Sequence, residues 1–451
     1  MNSEDTSASV PATDKQAEED LWQRYGAERG VWTESMLIAL ERGLKGNKWF
    51  SLIDKVASVR TLGIAWAKVQ SNAGACGVDG ITVGHFSKDS DNRLLAVNEH
   101  IKEGRYQPEP IRRVHIPKPG SAETRPLGIP TVRDRVVQNA IKLVIEPIFE
   151  KEFAPTSYGF RPGRGCKDAL REVERLLRGG WVHVVDVDIR GYFDNIPHDK
   201  LMALIRQRIA DGRLLGLIES FLKVGVLEEG IIIDPVTGSP QGGIISPLLA
   251  NIYLNPLDWL LQNLGLECVR YADDIVVLTR DATSAQEALR EIRQWMEGAG
   301  LTLHPEKTRI VDMSQARASF DFLGYRFLRT KPGKLIRLIR PKSQQKLRAA
   351  LRPLTKRCNK HCMTVIIALI NPKLRGWFEY FKHAHSSEFQ KMDSWTRMRL
   401  RSILRQRKKG RGRGHGLDHF RWPNRYFENL GLFSLNQARE EMMGLLRGAK
   451  C

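Results

Sequence analysis

Two short β-type runs in the middle of the chain each carry carboxylates at one end, and this constrains the fold more than any other feature. The first is WVHVVDVDIRGYFDNIPH, from Trp181 to His198. Side chains along a strand repeat every two residues, so Val182, Val184, Asp186 and Asp188 share one face. Carboxylates that end an otherwise apolar strand are costly unless they meet water or a cation. The second is CVRYADDIVVLTR, from Cys268 to Arg280. Asp273 and Asp274 stand between a short β run and the strand Ile275 to Leu278, which reads as a hairpin with the acidic pair at its turn. An isolated Asp-Asp pair is commonly turn punctuation. This pair is not isolated, because Asp186 and Asp188 end a second strand.

Charge narrows the function. Lys and Arg number 71 against 51 Asp and Glu, a formal net charge of +20. From Phe322 to Phe378 there is no acid and there are 15 Lys and Arg; from Ser394 to Leu417 there is again no acid and there are nine. These stretches carry +24, so the remainder nets −4. An excess confined to the C-terminal third points to a polyanion, and most directly to nucleic acid. No apolar run approaches the length of a membrane span. The opening MNSEDTSASVPATDKQAEED is polar and acidic, unlike a signal peptide. Six scattered Cys suit a reducing cytoplasm. Cys358, His361 and Cys362 hint at metal spacing, but no second ligand pair follows, so no zinc site is expected.

The 451 residues suggest roughly three domains. Residues 1–20 read as a disordered tail, and residues 21–98 as a helical N-terminal extension with a turn at Gly74 to Gly80. Residues 99–335 mix β-rich runs with amphipathic helices. Residues 336–407 read as a small basic helical domain, in which Leu347, Leu351 and Leu354 form a core stripe. Residues 408–451 begin with KKGRGRGHG, which reads as a flexible basic linker, and end in an aromatic-rich segment and a helix. Trp377, Phe378, Tyr380 and Phe381 read as core packing rather than as stacking platforms for bases.

The ordered motifs carry a resemblance. YADD resembles the catalytic motif of reverse transcriptases, and DIRGYFDNI resembles their first catalytic motif. SPQGGIISPLLANIYL (Ser239 to Leu254) lies between them, and GLTLHPEKT and FDFLGYRF follow. RYQPEPIRRVHIPKPGSAETRPLGIPTVRDRVVQ and SYGFRPGRGCKDAL come before. NPKLRGWFEYF and RWPNRYFENLGLFSL resemble a maturase segment and a DNA-binding tail. Order and spacing over roughly residues 70 to 440 resemble the reverse transcriptase/maturase carried by mobile group II introns. The resemblance implies an α+β right-hand polymerase: fingers and palm with an antiparallel palm sheet, then an α-helical thumb, then a small C-terminal DNA-binding segment.

It also implies roles. Two Mg²⁺ about 3.5–4 Å apart serve such a polymerase, with Mn²⁺ able to substitute, and Mg²⁺ favours oxygen ligands. Asp188 and Asp273 are expected to bridge both ions, with Asp274 beside them and the Ile189 carbonyl completing one shell. The family pattern selects Asp188 over Asp186, which is expected to support rather than ligate. Lys118 and Arg125 are expected to grip the triphosphate, Phe193 to exclude a 2′-hydroxyl, Gln241 to bond the nascent pair, and Gly242 and Gly243 to let nucleic acid approach the backbone. Lys307 is the expected general acid for the leaving pyrophosphate, with a structural ion pair as the alternative. Expected partners are intron RNA, an RNA template with DNA primer, dNTPs and target DNA. The chain stops at Cys451, and His415 and His419 lack the other elements of an HNH-type nuclease, so no endonuclease is expected. Two further readings stand beside this one: a non-catalytic maturase, against which the intact Asp188, Asp273 and Asp274 argue, and a host-domesticated relative acting in DNA repair or phage defence.

Overall fold

The strands are β1 (Ile111–Pro117), β2 (Thr124–Ile129), β3 (His183–Asp188), β4 (Val226–Glu228), β5 (Ile231–Ile233), β6 (Glu267–Tyr271), β7 (Asp274–Thr279), β8 (Arg309–Asp312), β9 (Ser319–Phe322), β10 (Tyr325–Arg329) and β11 (Leu335–Ile339). They form three sheets, ordered β2-β1-β4-β5, β6-β7-β3-β8 and β11-β10-β9. The structure, a computed structural model, describes residues 20–44, 46–117, 124–233, 237–239 and 242–448. The expected disordered tail therefore lies, but for Asp20, outside the described residues. The chain divides into two compact units, residues 1–116 with 124–310, and residues 311–451 with 117–123.

The first unit is built around the helix Val132–Glu150. Thr131 caps it by accepting from the Asp134 amide, and Val136, Val137, Ala140, Ile141 and Val144 are fully buried. The helix is buried on nearly every side, its polar Asp134, Arg135, Gln138 and Asn139 included, so it runs inside the core. Its buried amides are satisfied: Asn139 donates to the Ala65 carbonyl at 3.0 Å, and the Gln138 side-chain carbonyl accepts from the Ile244 amide at 2.8 Å. The expected turn over Gly74–Gly80 is present, and it touches this helix start closely. A Cβ on Gly77 would lie 2.6 Å from Thr131 Cα.

The sheet β6-β7-β3-β8 is the antiparallel palm. The helix Ala282–Ala299 packs on β3 and β7, and the helices Cys166–Arg178 and Ser246–Asn263 pack on β6. Val184 and Val185 point to opposite faces, yet both are fully buried. Both faces are therefore covered near the middle of β3, which is why its sequence reads as a continuous apolar run until Asp186.

In the second unit the hairpin β10–β11 pairs Tyr325 with Ile339, and the helices Pro341–Leu351, Met363–Phe381 and Ser386–Arg407 follow. Leu347 and Leu351 are buried as expected, and Leu354 is half-buried just past the helix end. The helix expected around Thr364 to Leu369 continues to Phe381, although Pro372 removes one helical donor. Its apolar stripe, Met363, Ile366, Ile370, Leu374, Phe378 and Phe381, keeps helical period through the proline and holds the chain on the core. Phe378 and Phe381 are core residues. Trp377 packs its ring against Phe381 and Phe389, while Tyr380 is exposed and donates to the Leu323 carbonyl at 3.0 Å.

The segment Lys408–Gly416 departs from the expectation of a flexible linker. It folds back on the helix Ser386–Arg407. The Gly410 amide donates to the Arg405 carbonyl at 2.9 Å, Arg405 Nε to the Arg411 carbonyl at 2.7 Å, and the Gly414 amide to Ser402 Oγ at 3.2 Å. A Cβ on Gly410 or Gly414 would lie 2.6 Å from Arg405 Cγ or Arg401 Cβ. These glycines permit close packing instead of looseness. The segment beyond is also part of the core: Trp422, Phe427 and Leu435 are buried. Asp393, itself buried, accepts from the amides of Leu435 and Asn436 and from Ser434 Oγ, each at 3.0 Å, and so helps cap the helix Leu435–Gly448.

Candidate active site

Strand register brings the acidic residues together. Asp188 stands directly opposite Asp274 where β3 pairs with β7, and Asp186 stands opposite Val276. Tyr271 and Asp274 close the β6–β7 hairpin, leaving Ala272 and Asp273 as its two-residue loop. Ala272 has φ +57°, a left-handed conformation that such loops usually give to glycine. Asp274 is exposed and Asp273 half-buried. Like charges directly opposite one another destabilise a strand pair unless a cation stands between them.

Asp188 pairs with a cation. Lys307 Nζ lies 3.3 and 3.4 Å from the two carboxylate oxygens of Asp188. The segment that presents it is tied to the end of β3: the His304 amide donates to the Asp188 carbonyl and the Arg190 amide to the Thr302 carbonyl, both at 2.8 Å. Ile189 lies between these two bonds, opposite Leu303, and its side chain is buried. Thr308 Oγ1 lies 3.3 Å from both the amide nitrogen and the carbonyl of Asp188. The Lys307 and Asp188 side chains are 58% and 38% exposed, so their pair is screened by water and exchangeable. Asp186 also pairs with a cation, Arg309 Nε at 3.5 Å.

Phe193 sits in the short 3₁₀ turn Tyr192–Asp194, half-buried. Its neighbour Tyr192 is buried and donates to the Ala250 carbonyl at 2.6 Å. The two rings meet edge-on at 5.4 Å, so the half-buried Phe193 ring is braced against the core. The Phe193 carbonyl accepts from the Ser239 amide at 2.7 Å, which sets Ser239 beside it. Lys118 and Gln241 lie outside the described residues, and Arg125 is placed only as part of β2. The expectation for Gly242 needs correcting. It has φ +118°, and a Cβ there would lie 2.1 Å from the Gly128 carbonyl oxygen, so its smallness already serves contact with β2.

The chemistry of the donors fits hard divalent cations, since aspartate carboxylates and one backbone carbonyl are all oxygen ligands. Among the described residues no three His, Cys, Asp or Glu converge closely enough to hold an ion together.

Sequence reading missed what lies under the YADD turn. Arg270 is fully buried, and its guanidinium meets Asp258 in a fork, Nε at 2.8 and 3.0 Å from the two oxygens. Burial alone would lower the Arg270 pKa, but the Asp258 carboxylate reverses this and the group is held above its ordinary value. Arg270 Nη1 also donates to Asn251 Oδ1 at 2.8 Å and to the Ala272 carbonyl at 3.1 Å. Asn251 Nδ2 in turn donates to the Gly159 carbonyl at 2.7 Å. A Cβ on Gly159 would lie 2.4 Å from the Ala272 nitrogen. The signal was available: an arginine inside the buried run CVRY, and an aspartate inside the apolar helix, each demand a partner.

An antiparallel palm sheet with facing aspartates at one end and a basic helical unit downstream fit a right-hand nucleic-acid polymerase. Residues 116–327 match the reverse transcriptase (RNA-dependent DNA polymerase) family, and residues 344–422 match the group II intron maturase-specific domain. Protein YkfC of Escherichia coli K12 is 36% identical over 296 residues, covering 56% of this chain and 76% of the relative. The group II intron-encoded protein LtrA of Lactococcus lactis subsp. cremoris is 41% identical over 206 residues, 45% of this chain and 34% of LtrA. An uncharacterized 91 kDa protein in the cob intron of Schizosaccharomyces pombe is 32% identical over 312 residues, 55% of this chain and 38% of that protein. The chain belongs to the group II intron reverse transcriptase/maturase family, RNA-directed DNA polymerases joined to an intron-binding maturase domain. It spans about a third of LtrA and three quarters of YkfC. No helix among the described residues is long and apolar enough to cross a membrane.

Proposed function

We propose that the chain copies intron RNA into cDNA from a DNA primer and, as a maturase, binds that RNA to assist its splicing and its mobility into target DNA. The observation that carries the polymerase reading is the register Asp188 opposite Asp274, with Asp273 in the adjoining loop and an exchangeable ammonium on Asp188. Asp188, Asp273 and Asp274, with the Ile189 carbonyl, would hold two Mg²⁺, which when bound activate the primer 3′-hydroxyl and neutralise the triphosphate. Lys118 and Arg125 grip the phosphates by charge-assisted hydrogen bonds. Gln241 bonds the nascent pair. Phe193 lies beneath the incoming sugar, where its ring excludes a 2′-hydroxyl. Lys307 gives up Asp188 and donates a proton to the leaving pyrophosphate. The acid-free stretches of the second unit hold template, primer and intron RNA through their phosphates.

Asp273→Ala tests this reading. Primer extension on an RNA template should fall to background, while RNA affinity stays close to that of the parent protein. Extension above a few per cent of the parent rate would remove Asp273 from the reaction.

A further inference from the structure

We infer that Arg270, with Asp258 and Asn251, is the positioning device of the catalytic hairpin, fixing the angle at which Asp273 and Asp274 meet Asp188. The inference rests on the proposed role of those carboxylates. Ala272 holds a left-handed backbone without being glycine, in a two-residue loop whose next residue is Asp273. Such a conformation persists only where the surroundings over-determine it. Here they do so from two sides. Beneath the loop, Arg270 Nη1 holds the Ala272 carbonyl. Alongside it, the backbone of Gly159 lies flush against Tyr271 and Ala272, with room for no side chain.

One guanidinium links these supports. Its planar fork is committed to Asp258, and its remaining directed donors reach Ala272 and Asn251. Asn251 passes the constraint to Gly159, whose backbone braces the other side of the loop. The Arg270 backbone continues the tie, because its amide donates to the Thr156 carbonyl at 2.9 Å and its carbonyl accepts from the Tyr158 amide at 2.8 Å. Lysine could not replace it, since an ammonium has no planar fork with which to serve Asp258, Asn251 and a carbonyl at fixed angles. The carboxylates of the hairpin sit on a short loop that water reaches, while everything that aims the loop is dry.

The test separates aiming from folding. Arg270→Met combined with Asp258→Leu removes both buried charges together, which leaves no charge unpaired. Full-length protein should unfold at a temperature close to that of the parent and bind RNA as before. On a poly(rA) template with an oligo(dT) primer, kcat should fall roughly tenfold or more with little change in KM for dTTP, since only transition-state geometry is lost. The Mg²⁺ concentration giving half-maximal extension should rise severalfold, a change that a merely structural pair would not produce. A folded double variant with the parent kcat and Mg²⁺ midpoint overturns the inference. Should the double variant fail to fold, Asn251→Ala decides: a severalfold lower kcat and a raised Mg²⁺ midpoint are expected, and parent values for both overturn the inference. Asp273→Ala runs in the same assay. If it extends primers, the catalytic reading itself fails; if it is inert while the double variant is fully active, only the positioning role fails.

Discussion

At the scale of single residues, the site mixes groups read from local pattern with groups visible only in three dimensions. Phe193 is half-buried and braced by Tyr192, so trimming it removes a steric wall without emptying the core. Phe193→Val should raise ribonucleotide incorporation relative to deoxynucleotide incorporation by roughly tenfold or more, because discrimination comes from the element set against the wrong sugar. Parallel extensions with rNTPs and dNTPs read this ratio, and an unchanged ratio would leave Phe193 a packing residue. Gly159→Ala places a methyl 2.4 Å from the Ala272 nitrogen, with backbone on both sides and nothing able to swing away. It should cost about 1–3 kcal/mol of stability and slow extension, as thermal unfolding and primer extension would show. Strand period and hairpin punctuation, both local signals, marked Asp186, Asp188, Asp273 and Asp274 as candidates; the choice of Asp188 over Asp186 came from the family resemblance. Lys307 was named from its motif, but its place against Asp188, 119 positions away, depends on the long-range bridge to Leu303. Gly159 and Asn251 were not legible, because what defines each is a neighbour distant in sequence; Asp258 announced a need for a partner but not which one.

At the scale of elements, the β6–β7 hairpin and the burial of the Pro341–Leu351 helix follow directly from periodicity. The misreading at Lys408–Gly416 has a physical cause. Glycine spaced through a basic run is the composition of a flexible segment, and it is equally the composition of a loop pressed against a helix; only the 2.6 Å approaches at Gly410 and Gly414 separate the two. Asp393's share in capping the Leu435–Gly448 helix was equally hidden: Ser434 supplies the local cap by accepting from the Gln437 amide, whereas Asp393 reaches in from another helix. Asp393→Ala strips three donors of a buried acceptor and should destabilise the second unit by about 1–3 kcal/mol. Urea unfolding of the full-length protein checks this, and a loss below about 0.5 kcal/mol would mean that water replaces the cap.

At the scale of the whole molecule, charge and chemistry are partitioned along the chain: the acid-free stretches carry +24 and lie in the second unit, while the aspartates lie in the first. Affinity for RNA and duplex DNA should therefore fall steeply with salt, with a log–log slope of about −0.9 per phosphate neutralised on duplex DNA. Replacing Lys408, Lys409, Arg411 and Arg413 by Gln should flatten that slope and leave extension from a saturating annealed primer unchanged. Salt titrations of binding would read it, and an unaltered slope would take these residues off the phosphates. Substitution is a gentler probe than truncation, because Trp422, Phe427 and Leu435 are core residues whose removal would open the second unit. The packed glycine loop has one more consequence, for anyone who wishes to rebuild this protein. By composition, residues 408–416 look like the natural seam at which to splice in a reporter or graft a different tail. With Gly410 and Gly414 seated on Arg405 and Arg401, a graft there would pry the last helices from their support. The exposed β10–β11 turn around Gly333, where an added Cβ would meet nothing within 4 Å, is the better seam.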